Sequence, residues 1–305
     1  MSSGRVLFFS DHNSSGSCRD NKKKMSLLEM KHDHIGKYLD AKLELPWTYS
    51  PHTVVPCDDK EARFPNMWKL LPRGSEGPLQ ITSMAPRPGS WYLDQRGYHA
   101  YLKKKANLVA QNHSFFDNER TMGTCRLAFE LDIKLDAADD GLVRQRVAGV
   151  WMCAFNAAIA VLGAEQYTTM HVLAREDVPI YHKSGRGEVG VKVGRHLVFE
   201  HIYLQPAQGL EITERVIQAC GDDWGIDSVY KRQGAGVSAL LRPAYCHKSS
   251  KSTVHNWVCD CLSPHYAVLE TLNTQGVNGI ELVNGEVDIL ETLQRTSLFW
   301  RSLSK

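Results

Sequence analysis

The chain has 305 residues, 43% hydrophobic and 23% charged, an ordinary globular composition that excludes disordered and fibrous classes and leaves room for one large or two modest domains. Its 36 basic and 34 acidic side chains leave a formal charge of +2, so an anionic partner must be met by a local basic surface rather than a global field. No run comes near the roughly 20 apolar residues of a bilayer crossing. The start, MSSGRVLFFSDH, lacks the apolar core of a secretory signal, and eight scattered Cys fit reduced thiols, so a soluble intracellular protein with no membrane partner is expected.

Residues 1–90 are weakly patterned, holding the short apolar run VLFF, the polar stretch HNSSGSCRDNKKK and a Pro-rich region from LPWTYSPHTVVP to MAPRPGS. Lys22, Lys23 and Lys24 read as a solvated charge run sooner than as a nucleic-acid contact. Residues 91–305 read as the main domain, with 1–90 packed on it. Trp91 to Asp94 reads as a strand, His99 to Gln111 as a helix or long strand, and HSFFDNERTMGT as a polar turn. CRLAFELDIKLD, Cys125 to Asp136, is a strictly alternating strand. GLVRQRVAGVWMCAFNAAIAVLG repeats its apolar residues at helical spacing and stops at Gly163. TTMHVLAR is a strand, EDVPIYHKSGRGEVG a loop, and VKVGRHLVFEHIYL a second alternating strand. LEITERVIQAC is a helix ending at Gly221. IDSVYK and VSALLR form a hairpin-like pair around QGAG, and a final helix is expected around VDILETLQRTSLFWRSL. The result is a mixed α+β architecture, sheet with flanking helices.

In CRLAFELDIKLD, alternation puts Leu127, Phe129, Leu131, Ile133 and Leu135 on one face and Ala128, Glu130, Asp132, Lys134 and Asp136 on the other. Two residues of strand separate Glu130 from Asp132 by about 6.5 Å, so like charges share a surface that calls for a cation. In VKVGRHLVF, Lys192, Gly194 and His196 share a face, with the glycine leaving space for a phosphate to approach the backbone between two donors. Asp227 opens DSVYKRQGAG, and Arg242 and Lys248 bracket RPAYCHK.

These blocks, in this order, resemble the archaeo-eukaryotic primase superfamily, in its branch of primase-polymerases, herpesvirus primases and large DNA virus primase-helicases. Glu-Leu-Asp at 130–132 is similar to the first motif, KVGRHLVF to the second, DSVYKR to the third, and the later Arg242 and Lys248 to the basic element that follows. The resemblance implies the primase fold, mixed sheets with flanking helices that form a catalytic cleft from an N-terminal αβ unit and an RRM-like half. It implies Glu130, Asp132 and Asp227 as catalytic ligands of two magnesium or manganese ions, and Lys192, Gly194, His196, Arg242 and Lys248 as the nucleotide-binding set. The activity implied is nucleotidyl transfer from NTPs or dNTPs by a template-directed primase-polymerase in DNA replication, on a single-stranded DNA template. Gly194 stands where relatives often carry Ser, which loses a hydroxyl contact, and Glu130 where many carry Asp, which lengthens a ligand arm.

Other readings stand beside this one. Glu130 and Asp132 alone would suit an exposed sheet face, Asp227 a turn, and Arg242 and Lys248 a solvated surface. The same fold also serves a catalytically silent nucleic-acid-binding scaffold, or a repair or translesion polymerase that only extends primers. Cys246, His255, Cys259 and Cys261 are candidates for a structural zinc within residues 246–265, although the C-x-C spacing is not the usual knuckle. No G-x4-GK[ST] loop occurs, so a helicase partner would lie outside this chain. The resemblance places such a protein in the nucleus or a viral replication site, or in an organelle.

Overall fold

The structure, a computed structural model, describes residues 78–83, 89–111, 115–163, 169–175, 177–181, 187–246, 250–251, 257–258, 267–273, 280–282 and 288–299. In chain order its elements are β1 (Leu79–Ser83), β2 (Gly89–Leu93), α1 (Gln95–Ala110), β3 (Asp117–Thr121), β4 (Cys125–Leu135), α2 (Asp140–Leu162), β5 (Thr169–Ala174), β6 (Val178–Tyr181) and β7 (Glu188–Leu204). There follow α3 (Pro206–Cys220), a short 3-10 turn (Asp222–Trp224), β8 (Ile226–Asp227), β9 (Tyr230–Gln233), β10 (Gly236–Leu241), β11 (Ser250–Lys251), β12 (Trp257–Val258), β13 (Ala267–Asn273), β14 (Ile280–Leu282) and α4 (Ile289–Thr296).

Two antiparallel sheets carry the molecule. One has the order β2-β1-β3-β10-β9; the other runs β14-β13-β5-β7-β4-β8 with β6 paired on β7, and β11 pairs with β12. The α+β class is therefore as expected, and the two sheets meet where β8 of one continues through Ser228 and Val229 into β9 of the other.

The first sheet buries its inner face under α1. Asp94 caps that helix, accepting from Gly97 N at 2.6 Å. The β3 strand turns two carboxylates inward, and α1 answers both: Tyr98 donates to Glu119, Tyr101 donates to Asp117, and Lys105 Nζ lies 3.0 Å from Asp117. These groups are fully buried, so each is tolerable only with its partner. At the junction of the sheets, Arg126 donates from Nη1 to the carbonyls of Gln294, Arg295 and Ser297 at 2.6, 2.8 and 3.0 Å, a cation closing the C-terminal end of α4. Leu298 N donates to Glu119 at 2.7 Å, so the chain after α4 touches both sheets.

In the second sheet the alternation of β4 holds: Leu127, Phe129, Leu131 and Ile133 are buried, while Glu130 and Asp132 are only partly so. The α2 helix is capped by Asp139, which accepts from Leu142 N at 2.9 Å, and it ends on Gly163 with φ 72°, where glycine alone is unstrained. Its stripe of Val143, Val147, Val150, Trp151, Ala154 and Ala158 joins the shared core.

Several expectations are corrected. HSFFDNERTMGT is not merely a turn but contains β3, the centre of the first sheet. Its polar residues read as loop because their partners come from elsewhere in the chain. EDVPIYHKSGRGEVG contains β6, an edge strand that keeps Pro179 away from central pairing. IDSVYK is not one arm of a hairpin: it is divided between β8 and β9, in different sheets, and only β9 pairs with β10. Within residues 1–90, β1 pairs with both β2 and β3 and so belongs to the same sheet. Finally, α2 is long and apolar enough to cross a membrane by length and composition, which the reading of the sequence had not expected of any segment. Arg146 of this helix donates to the Asp223 carbonyl at 2.8 Å, and its buried stripe lies within the protein core.

Candidate active site

Pairing across β7, β4 and β8 assembles the site. Glu130 stands opposite His196 on one side and Asp227 on the other; Asp132 stands opposite Gly194, and Lys134 opposite Lys192. Directly opposed residues of an antiparallel pair point to the same face. Three carboxylates, two lysines and a histidine therefore share one surface, with no side chain from Gly194 between them.

The charges are mutually engaged. Lys192 Nζ lies 2.7 Å from Asp132 Oδ2, and Arg175 Nη2 lies 3.6 Å from Asp132 Oδ1. His196 Nε2 is 3.6 Å from Glu130 Oε1. His196 foremost, then the charges of Arg242 and Lys231, hold the Glu130 carboxyl down to about 2 against the opposing effect of burial. The His196 ring is pushed below its ordinary range by burial, which outweighs the pull of Glu130, and Arg242 and Arg175 add to that push. At neutral pH the pair is thus an ionised Glu130 beside a neutral His196, a ring that can donate one hydrogen bond without carrying charge. Asp227 is exposed, and its Oδ1 accepts from Ser228 N at 2.8 Å.

The backbone around the carboxylates is fixed by small residues and one phenol. A register shift between Arg126 and Ala128 breaks the β4–β7 ladder. The buried Tyr230 fills the break: Ala128 N donates to its hydroxyl at 2.9 Å, and the hydroxyl donates to the Arg126 carbonyl at 3.0 Å. Gly209 of α3 makes room for this ring, since a Cβ there would lie 2.4 Å from it. Gly225, at φ 71°, lets the chain lie against Asp132: Asp132 N donates to the Gly225 carbonyl at 2.8 Å, and a Cβ at 225 would come within 2.5 Å of the Asp132 oxygen. Trp224 lies against Gly149 of α2 in the same close way.

Residues 80–229 match the family model described as the C962R protein N-terminal AEP domain. This is an archaeo-eukaryotic primase domain. No curated protein matches the chain.

The primase match begins inside β1, in agreement with a sheet that starts before residue 91, and it takes in Glu130, Asp132, Lys192, Gly194, His196 and Asp227. It stops before Arg242, which the structure nevertheless brings close enough for its charge to act on both Glu130 and His196. Lys248 lies outside the described residues, as do Lys22, Lys23 and Lys24 and the zinc candidates His255, Cys259 and Cys261. The fourth zinc candidate, Cys246, is buried in the primase domain's inner network: Lys105 Nζ lies 2.9 Å from its Sγ, which donates to Asp117 at 3.2 Å. Burial and the Asp117 charge push that thiol up, so it keeps its proton.

Two site residues escaped the reading of the sequence. Arg175 follows β5 in phase with Leu173, which is paired with His196, so the alternation test applied to TTMHVLAR would have placed it on this face. Lys231 had no such signal, because it belongs to the other sheet.

Among the described residues no group of three or more His, Cys, Asp or Glu side chains is gathered into a metal cage. The donor set still fits magnesium or manganese in kind, being three carboxylates of adjacent strands on one face. Lys192 and Arg175 now supply the positive charge that Asp132 requires.

Proposed function

We propose that this primase domain is a template-directed primase-polymerase that adds nucleotides from NTPs or dNTPs in replication priming. The observation that supports it is the register Asp227–Glu130–His196 with Asp132–Gly194 beside it, which sets three carboxylates on one face next to a position without a side chain. In this reading Glu130, Asp132 and Asp227 hold two magnesium or manganese ions. Such ions supply charge neutralisation and activation of the attacking 3′-hydroxyl in an in-line displacement of pyrophosphate. The protein's own groups do the rest. Lys192 exchanges its contact with Asp132 for the triphosphate, and Arg175 and Arg242 crowd the same anion. His196 carries one N–H when neutral, with Nε2 facing Glu130 at 3.6 Å; with Glu130 engaged by a metal ion, that N–H would be given to a phosphoryl oxygen instead. Gly194 puts no side chain between Lys192 and His196. Lys248 completes the basic set. A single-stranded DNA template and a helicase outside this chain are the partners in this reading, and a nuclear or viral replication site is its location.

The test is incorporation of labelled nucleotide on a single-stranded template with manganese, with and without a primer. Asp132→Ala is expected to lower incorporation more than about 100-fold. If it incorporates as the parent does, the catalytic assignment is wrong. Extension without unprimed synthesis identifies a repair-type extender.

A second reading, a silent nucleic-acid-binding scaffold, is favoured by one observation: Lys192 and Arg175 already satisfy Asp132. It predicts template binding with no incorporation under either ion.

A further inference from the structure

Among the described residues, one sheet face takes no part in the core. The inner face of the first sheet is covered by α1 over β1 to β3, through Tyr98 and Tyr101, and by α3 over β9 and β10, where Tyr230 meets Gly209 and Arg232 approaches Glu214. The outer face has a regular composition that the pairing makes legible. Tyr92 stands opposite Gln80, Gln80 opposite Arg120, and Arg120 opposite Leu240, so these four side chains form one row across β2, β1, β3 and β10. At about 4.8 Å per strand the row is about 14 Å long.

Tyr92 is 49% exposed and Leu240 38% exposed, and Met122, 59% exposed, lies on the same face. Beside this row runs a neutral, hydrogen-bonding one, Ser90, Thr82 and Asn118. Toward the β9 edge the face carries Lys231 and Gln233, the latter accepting from Arg120. Among the described side chains that point outward from these strands none is Asp or Glu; the sheet's own carboxylates, Asp117 and Glu119, point inward to α1. Exposed apolar and aromatic groups next to cations, with acids kept to the other side, suit a ligand that is flat and apolar in one part and anionic in another.

The face also leads somewhere. Its β9 edge is continuous in chain with β8, and Lys231 on that edge is close enough for its charge to act on Glu130. A strand laid along the row from Tyr92 to Leu240 would arrive at the carboxylate face.

We propose that this outer face, centred on Tyr92, Arg120 and Leu240, seats the single-stranded nucleic acid template: a base stacks on Tyr92, apolar contact continues over Leu240 and Met122, and Arg120 and Lys231 meet phosphates. Non-sequence-specific strand binding needs these two things, stacking platforms and a cationic track. The proposal rests on the polymerase reading for the word template, whereas the binding of a single strand can be tested apart from it.

The experiment is fluorescence anisotropy of a dye-labelled oligothymidylate with the full chain, in EDTA and over a salt series, alongside manganese-dependent incorporation. Tyr92→Ala is expected to raise Kd by roughly 5-fold or more, as loss of one stacked base does. Tyr92→Phe, which keeps the ring, is expected to bind as the parent. Arg120→Ala is expected to weaken binding and reduce the slope of log K against log salt by about one. Both side chains lie on the outer face, Tyr92 exposed and Arg120 half-buried, and unchanged thermal melting controls for folding. Asp132→Ala is expected to bind the strand as the parent does while losing incorporation. Parent-like binding by both Tyr92→Ala and Arg120→Ala overturns the proposal, as does failure of the parent to bind the strand, or a preference for blunt duplex. Strand binding with the stated dependences but no incorporation under either metal leaves the surface standing and removes the polymerase reading.

Discussion

The Tyr230 hydroxyl sits in the bulge of β4, accepting from Ala128 N at 2.9 Å and donating to the Arg126 carbonyl at 3.0 Å. Through it, β9 of the first sheet, three residues beyond Asp227, is bonded to β4, the strand that carries Glu130. Tyr230→Phe would leave a buried N–H and a buried carbonyl without that partner, a loss of roughly 1–3 kcal/mol. Urea unfolding is expected to show a lower midpoint at an unchanged slope. In the polymerase reading, kcat falls by about tenfold or more because Asp227 shifts against Glu130. An unchanged midpoint would mean that the bulge relaxes by itself.

Gly225 is expected to tolerate no side chain. Its φ of 71° and the 2.5 Å approach to the Asp132 oxygen give Gly225→Ala both backbone strain and a clash against backbone. The cost is about 1–3 kcal/mol, read as a lower unfolding midpoint. Gly163→Ala, where φ is 72° with open space around the Cβ, bears the strain without the clash and is expected to cost less.

Arg175 is expected to act on the nucleotide. Arg175→Ala should raise KM for the incoming nucleotide by about tenfold or more with a smaller change in kcat, the pattern of a lost charge-assisted contact made in ground and transition state alike. Equal loss in kcat with KM unchanged would instead assign Arg175 to orienting Asp132.

Two carboxyls, Glu119 and Glu130, act on the pH dependence of stability in opposite directions. Burial foremost raises the Glu119 carboxyl to about 7, against the lowering effect of the bonds from Tyr98 and Leu298 N. Between about 4.3, the unfolded value, and about 7 the folded protein holds a proton that the unfolded chain has released. This group's stabilisation is therefore full below the lower value and declines as pH rises through the upper. Glu130, held down to about 2, acts the other way: its contribution is full above about 4.3 and is lost as pH falls toward the folded value. Glu119→Gln is expected to flatten the decline between pH 4.5 and 7 in chemical unfolding while leaving the acid limb; an unaltered profile would show that Glu119 titrates normally.

The sequence by itself determined the elements whose pattern is local. Alternation specified β4 and β7 together with the faces of Glu130, Asp132, Lys192, Gly194 and His196, and helical spacing with Gly163 at its end specified α2, whose cap Asp139 only the structure shows. Each of these signals needs only neighbours within one segment. What the tertiary structure decided depends on distant partners. Asp117 and Glu119 made β3 read as a turn, and only Tyr98, Tyr101 and Lys105 of α1 make two inward acids acceptable there. IDSVYK read as one strand, yet Asp227 pairs with Glu130 while Tyr230 pairs with Ala239, a division that arises because the chain crosses from sheet to sheet at Ser228. Arg175 joins the site from just after β5, and Lys231 from β9, four residues beyond Asp227 but in the other sheet. A strand's period reveals which way its side chains point; which charges then meet is set by register with other strands, and register is a property of the assembled sheets.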